Sequence, residues 1–291
     1  MLRIAVPNKG SLSGPAAAML HEAGYRQRKE SKELVLVDRE NDVEFFYLRP
    51  RDIAIYVSSG RLDIGITGRD LLLDSGASAE EILQLGFARS TFHYAAKPGT
   101  ATAVGDLSGM TVATSYEGVV EKHLADNGVD AAVVHLDGAV ETAIELGVAQ
   151  VIADVVETGT SLRNAGLEVF GEPIMQSEAI VIRRSGAAAE AGGDVRGTQE
   201  AKVQQFLRRL QGVLVARRYV MMDYDIRAEQ VEKAVALTPG LESPTVSPLH
   251  HEGWVAVRAM VPTSDAQRIM DELYELGARA ILTTGIHAAR L

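Results

Sequence analysis

The sequence predicts an α/β protein in which two small α/β lobes face each other and a separate module with the order βαββαβ follows. Three observations carry this. From Leu2 to about Ile180, short β-rich runs alternate with single helical stretches. Residues 185–198 (SGAAAEAGGDVRGT) contain almost no large apolar side chain and read as a mobile linker. From Tyr219 onward the rhythm changes to two strands between helices.

The elements follow in order. Leu2–Val6 is an apolar run ended by Pro7 and Asn8, hence a strand, and a helix covers about Ser13–Glu22. Strands are expected at Leu34–Val37, Val43–Leu48 and Leu62–Thr67, with a helix at about Asp52–Ser59 between the last two. A second set comprises strands Phe92–Ala96, Thr111–Thr114, Ala132–Leu136 and Val151–Val156, with helices beginning at Glu117 and Ala139. Strands joined by single helices imply parallel sheets covered on both faces, and ligands then sit beyond the strand carboxyl ends. Ser177–Arg184 is a further strand that could return to the first lobe. Glu200–Ala216 has apolar residues at helical spacing. The tail reads as strand Tyr219–Tyr224, helix Glu229–Leu237, strands Thr245–Leu249 and Trp254–Val261, helix Asp265–Leu276 and strand Arg279–Thr284, which is the ferredoxin-like order.

Composition limits the functions. The 291 residues are 46% hydrophobic and 23% charged, an ordinary globular balance with room for two or three domains. There is no cysteine, so disulfides, thiolate metal sites and a cysteine nucleophile are excluded. MLRIAVPNKG lacks the length and flanks of a signal peptide, and no run approaches the roughly 20 apolar residues of a membrane span. A cytoplasmic protein with no membrane partner is expected. A net charge of −10 without a basic stripe argues against nucleic acid, whereas a small anionic substrate needs only a few cations in a cleft.

The strongest local pattern is Val151–Leu162 (VIADVVETGTSL). An apolar strand runs into Asp154, then into Glu157, Thr158, Gly159, Thr160 and Ser161 before a helix. Hydroxyls beside free helix amides, with glycine allowing close backbone approach, suit a sugar phosphate. Asp154 could accept from ribose hydroxyls or support a magnesium ion carrying pyrophosphate. The same hydroxyls would equally serve as a helix cap. Asn8-Lys9-Gly10-Ser11 follows the first strand in a similar way, with Lys9 aimed at a cleft or merely solvated, and Gly10 making the turn. Leu48-Arg49-Pro50-Arg51-Asp52 offers two arginines for phosphate oxygens, or for a surface pair with Asp52. Gly65–Asp70, Ala113–Tyr116 and Asp137–Glu141 again put small or charged residues past strand ends. Their convergence on one cleft weighs more than any one of them. Neither GxxxxGK[ST], GxGxxG, HExxH nor GxSxG is present, and adjacent His250 and His251 would point to opposite faces of an extended segment.

These segments resemble the long form of the ATP phosphoribosyltransferase family across essentially the whole chain. RIAVPNKGSLS, YLRPRDIAIYV, DIGITGRDLL, TVATSYEGVVEKHL and GVAQVIADVVETGTSL are similar to its catalytic segments in order, and RYVMMDYDI, ALTPGLESPTVSPL and GARAILTTGI to its regulatory domain. The resemblance implies two periplasmic-binding-protein-like lobes, residues 1–90 with about 177–215 and residues 91–176, plus an ACT-type regulatory domain at 217–291. It implies condensation of ATP with 5-phosphoribosyl 1-diphosphate (PRPP) and Mg²⁺, the first step of histidine biosynthesis. It assigns PRPP to Asp154, Val155 and Glu157 to Ser161, and ATP to Lys9, Gly10, Arg49, Arg51, Asp70, Leu71, Ser115 and Tyr116. It makes Lys9, Arg49 and Asp154 the expected catalytic set. It further implies inhibition by histidine, with Asp225 at the end of the first strand of the tail and with Leu241, Ser243, Thr245 and Ala280. AMP is a further candidate inhibitor. Leu282 is expected in the core of that domain, and the assembly is expected to be a homo-oligomer, dimer or hexamer. The competing readings are a non-catalytic bilobal small-molecule-binding protein and a ligand-responsive regulator, the latter without a helix-turn-helix segment.

Overall fold

The computed structural model describes residues 1–28, 32–156, 159–186 and 194–290, the last from 199 onward with side chains. Two compact units are formed, Met1–Ala18 with Tyr25–Val203, and Met19–Gly24 with Gln204–Leu291. The chain begins with β1 (Leu2–Pro7), α1 (Ser13–Glu22), β2 (Val35–Asp38), β3 (Val43–Leu48), α2 (Pro50–Ser58), β4 (Ile64–Gly68), α3 (Arg69–Ser75) and β5 (Ala79–Gln84). There follow β6 (Ser90–Ala96), β7 (Thr111–Thr114), α4 (Glu117–Asp126), β8 (Ala132–His135), α5 (Thr142–Glu145), β9 (Val151–Val156), α6 (Thr160–Asn164) and β10 (Glu168–Ser177). Then come β11 (Ala179–Arg184), α7 (Asp194–Arg218), β12 (Tyr219–Arg227), α8 (Val231–Leu237), β13 (Thr245–Pro248), β14 (Trp254–Pro262), α9 (Ala266–Glu275) and β15 (Arg279–Gly285).

The first unit holds two sheets, of order β2-β3-β1-β4-β11-β5 and β10-β6-β9-β7-β8. β1 is central, buried on both faces, and parallel to β3 and β4. That placement explains why Ile4–Pro7 is a continuous apolar run rather than an alternating one, with only Arg3 near its start exposed. The residues Ile53, Ala54 and Val57 of α2 pack with Ala5, Ile180 and Ile182 of the sheet. The second sheet has its own cores, Phe92, Tyr94, Val112, Val151 and Ala153 on one face, Ala95, Ala113, Ile152 and Leu162 on the other. Two lobes therefore exist, in the periplasmic-binding-protein-like arrangement. The chain enters the second lobe after β5 and returns through β11, which pairs antiparallel with β4 and β5.

Several expectations need correction. Neither sheet is purely parallel: β2, β5 and β11 run antiparallel to their neighbours in one, β6 and β10 in the other. The strands that carry the chain between lobes must arrive in the opposite direction, which mixes the sheets. β5 (AEEILQ) is charged and only half-buried at an edge, and β10 contains Gly171 and Pro173 with a register break between Phe170 and Met175, so both are unreadable as sequence patterns. The helix expected from Ala139 starts only at Thr142, since Ala139 itself adopts φ 49°, and it is a single turn, Thr142–Glu145. Residues 194–198 of the expected linker are the first turns of α7, while residues 187–193 lie outside the described ones.

In the second unit the antiparallel order is β13-β14-β12-β15, with α8 and α9 supplying Ala234, Ile269 and Leu273 to a core with Met222, Tyr224, Ile226 and Val257. This is the predicted ferredoxin-like arrangement. Two readings fail here. Asp225 is inside β12, paired with Ala256 and Arg279, because the strand continues to Arg227. Leu282 is not core: strand alternation turns Ile281 toward the helices and leaves Leu282 61% exposed within the chain.

Candidate active site

Strand ends of both lobes meet in the first unit. After β1 the chain turns at Gly10, φ 75°, and leaves Lys9 exposed. Lys9, Gly10, Asp70, Leu71, Tyr116 and Val155 line one cavity of about 170 Å³, together with Ala88, Ser90 and Ser177 of the segments that cross between lobes. A second hollow of about 510 Å³ shares Ser90 and Ser177 and reaches Thr91, Val156, Arg69 and Arg89. Four separately coded strand ends thus converge on one space.

The expected residues divide into two sets within it. Arg49 caps α2 in an extended conformation, without a side-chain cap bond, and is exposed. Arg51 is engaged by protein: Nη1 lies 2.6 Å from Asp74, Nη2 donates to the Ser115 carbonyl at 2.8 Å, and the guanidinium lies 5.1 Å from the Tyr116 ring centroid. The surface pair with Asp52 weighed from the sequence gives way to Asp74. The Ser115 hydroxyl donates to the Leu136 carbonyl and accepts from the Gly138 amide, so it braces the loop after β8.

On the lobe II side β9 delivers Asp154, whose Oδ1 accepts from the Val155 amide at 2.7 Å. Burial holds this carboxyl above the ordinary carboxylate range; the Val155 bond opposes that, and the charges of Glu141 and Asp70 add to it. A hydroxyl-rich or cationic ligand would relieve that cost. Tyr116 is pushed well above the usual phenol value by burial and then by the Asp70 charge, and remains a neutral hydroxyl. Glu157 and Thr158 lie outside the described residues. Gly159 is left-handed at φ 67°, which lets the chain leave β9 and enter α6, a helix of five residues. Thr160 and Ser161 are exposed, and Arg163 donates to the Thr160 hydroxyl at 3.2 Å.

Sequence reading overlooked Ser177 and Arg28. The Ser177 hydroxyl donates to Asp70 Oδ1 at 2.8 Å and accepts from the Asp70 amide at 3.1 Å, both groups buried. Arg28 donates to the Asn8 carbonyl at 3.2 Å and lies 4.1 Å from the Tyr47 ring centroid, beside the Lys9 turn. Neither sits in a glycine- or hydroxyl-rich stretch, and the Ser177 partner is 107 residues away, so only a signal from the fold could reveal them.

Strand ends of both lobes gather cations, hydroxyls and carboxylates around one cleft, which defines a bilobal α/β protein with a polar site between its lobes. Residues 49–212 match the family described as ATP phosphoribosyltransferase and residues 216–288 that described as HisG, C-terminal domain. A Streptomyces avermitilis ATP phosphoribosyltransferase is 81% identical over 291 residues, all of both chains, and one from Arthrobacter sp. is 62% identical over the same span. Among solved structures, the ATP phosphoribosyl transferase (HisG:HisZ) complex from Thermotoga maritima superimposes with a TM-score of 0.61 at 26% identity, covering 72% of this chain and 97% of that one. The chain belongs to the ATP phosphoribosyltransferase family, in its long form with the C-terminal domain in the same polypeptide. Its activity is that of a transferase of histidine biosynthesis.

Proposed function

We propose that the cleft joins N1 of ATP to the anomeric carbon of PRPP, releasing diphosphate and forming N1-(5-phospho-β-D-ribosyl)-ATP, with the following division of labour. Adenine N1 is already a nucleophile, so no strong base is needed. The transition state carries oxocarbenium character on the sugar and growing charge on the leaving group. Asp154, held by the Val155 amide, accepts from the ribose hydroxyls, and Val155 with Glu157, Thr158, Gly159, Thr160 and Ser161 holds the 5-phosphate. Lys9 and Arg49 face the diphosphate, while Gly10, Arg51, Asp70, Leu71, Ser115 and Tyr116 form the nucleotide side. One observation carries the reading: Lys9, Asp70, Tyr116 and Val155, from four strand ends in two lobes, line a single cavity.

Among the described residues no group of three or more histidines and acids gathers for a metal. Mg²⁺ fits as an ion held mainly through substrate phosphates, with Asp154 the nearby carboxylate whose charge is otherwise disfavoured. When bound it would neutralise charge on the departing diphosphate.

Lobe I is assigned to residues 1–90 and about 177–215, lobe II to 91–176, and a regulatory domain to 217–291. Histidine is the proposed inhibitor, held by Asp225 with Leu241, Ser243, Thr245 and Ala280. A register break beside Asp225 and a φ of 50° at Ala280 open β15 there and support this. AMP is a second candidate inhibitor. Dimers or hexamers are proposed, and the exposed Leu282 face is compatible with self-association. No described helix is long and apolar enough to cross a membrane, and a cytoplasmic site of action is proposed. Incubation with ATP, PRPP and Mg²⁺ tests the reading: diphosphate and an N1-substituted adenine product should appear together, and their absence at high protein concentration would favour a non-catalytic binding protein.

A further inference from the structure

α3 of lobe I lies against the start of α4 of lobe II, and one carboxylate occupies the contact. Asp74, its side chain only 8% exposed, accepts from Arg51 Nη1 through Oδ2 at 2.6 Å and from the Gly118 amide through Oδ1 at 3.0 Å. Gly118 is the second residue of α4, so its amide is among the first four that no helical carbonyl can satisfy. Arg51, fixed by Asp74, reaches the Ser115 carbonyl at 2.8 Å and lies over Tyr116, which lines the cleft. The approach is close: a Cβ at Gly118 would lie 2.5 Å from the Asp74 carbonyl oxygen. Every one of these bonds except Arg51–Asp74 crosses from one lobe to the other. The Tyr116 hydroxyl also hydrogen-bonds the Asp70 carboxylate across the lobes, and the chain itself crosses beside Ala88 and Ser177.

We infer that Asp74 is a positioning residue whose carboxylate clasps lobe II to lobe I, and so holds Arg51 and Tyr116 in the closed arrangement that binds both substrates. This rests on the assignment of the cleft to ATP and PRPP. A clasp made of a few charge-assisted bonds sets an adjustable equilibrium between open and closed forms. Without it each substrate must supply the closing free energy, so apparent affinity falls by the fraction of closed protein, while turnover of the saturated, closed complex is kept.

The chain has no cysteine, so Ser59→Cys with Ala125→Cys places one label on an exposed site of each lobe. Interlobe distances by pulsed electron resonance and steady-state kinetics are then measured for the parent, Asp74→Ala, Asp74→Asn and Gly118→Ala. The expected result is a shift of the free protein to longer distances in Asp74→Ala and Gly118→Ala. The KM values of ATP and PRPP should rise together by about tenfold, with kcat within about threefold, and Asp74→Asn should be intermediate because it keeps one acceptor. Unchanged distances, a kcat loss at unchanged KM, or variants that no longer fold would each overturn the clasp. If the parent makes no product while the distances still shift, the assignment of the substrates fails and the clasp stands.

Discussion

The two walls of the cleft end their strands in different ways. In lobe I, β1 stops in a tight turn that leaves Lys9 solvated, and Arg49 sits exposed at the start of α2. In lobe II, β9 carries a half-buried acid two residues before its end, whose ionised form burial disfavours, and a left-handed glycine precedes α6. Mobile cations can follow a diphosphate as it departs, since their solvation costs little and their side chains are long. A carboxylate already stripped of water gains most from a partner that arrives with hydroxyls or positive charge. On the proposed reading, lobe II offers an acceptor that folding has already desolvated, and lobe I offers exposed cations that engage only on contact.

The largest expected effect lies on the prestressed wall. Asp154→Ala should lower kcat by about 10²–10³-fold, the loss typical of a single transition-state contact, with circular dichroism and melting behaviour intact; near-normal turnover would end the assignment. Lys9→Ala should reduce kcat/KM by about 10–100-fold, the scale of one charge-assisted contact, and weaken the salt dependence of that constant. An equal effect from both substitutions on kcat would erase the proposed difference between walls.

A stability measurement sharpens the same point. The Asp154 carboxyl titrates above its unfolded value, so the folded state is favoured while the group is protonated, and that advantage is lost as pH rises from the unfolded to the folded value. Asp154→Asn should therefore melt higher than the parent at about pH 8, each kcal/mol relieved giving about 2–4 °C, and the difference should vanish toward about pH 4. In the other unit, truncation from Arg218 should abolish histidine inhibition, read as an unchanged rate in histidine concentrations that silence the full chain. Gly159→Ala should be the mildest, about 1 kcal/mol of left-handed strain, seen mainly as a raised KM for PRPP.

Legibility followed locality. β1 and β9 are readable because a buried strand writes its environment into consecutive residues, and the tail because its element order is itself diagnostic. Asp154 and Lys9 are legible as charges that interrupt or closely follow such apolar runs. By contrast, β10 hides behind a bulge and a proline, and α3 is only seven residues with no side-chain cap at its N-terminus. Ser177 and Arg51 take their meaning from Asp70 and Asp74, partners 107 and 23 residues away, and a side chain's partner across the fold leaves no trace in its own neighbourhood. That is why Arg51 reads as a phosphate ligand in the sequence and as half of an ion pair in the fold.

The position of β11 between β4 and β5 has a consequence for synthesis on the ribosome. Among the described residues β5 has β11 as its only hydrogen-bonded neighbour, so residues 79–84 emerge with both edges bare and stay so while the next 94 positions are translated (residues 85–178). At about 5–20 residues per second this is a window of several seconds. Lobe II, unbroken in the chain, can be complete before lobe I closes its sheet. The charges of Glu80 and Glu81 on that waiting strand are what an exposed edge carries to avoid pairing with a neighbouring nascent chain.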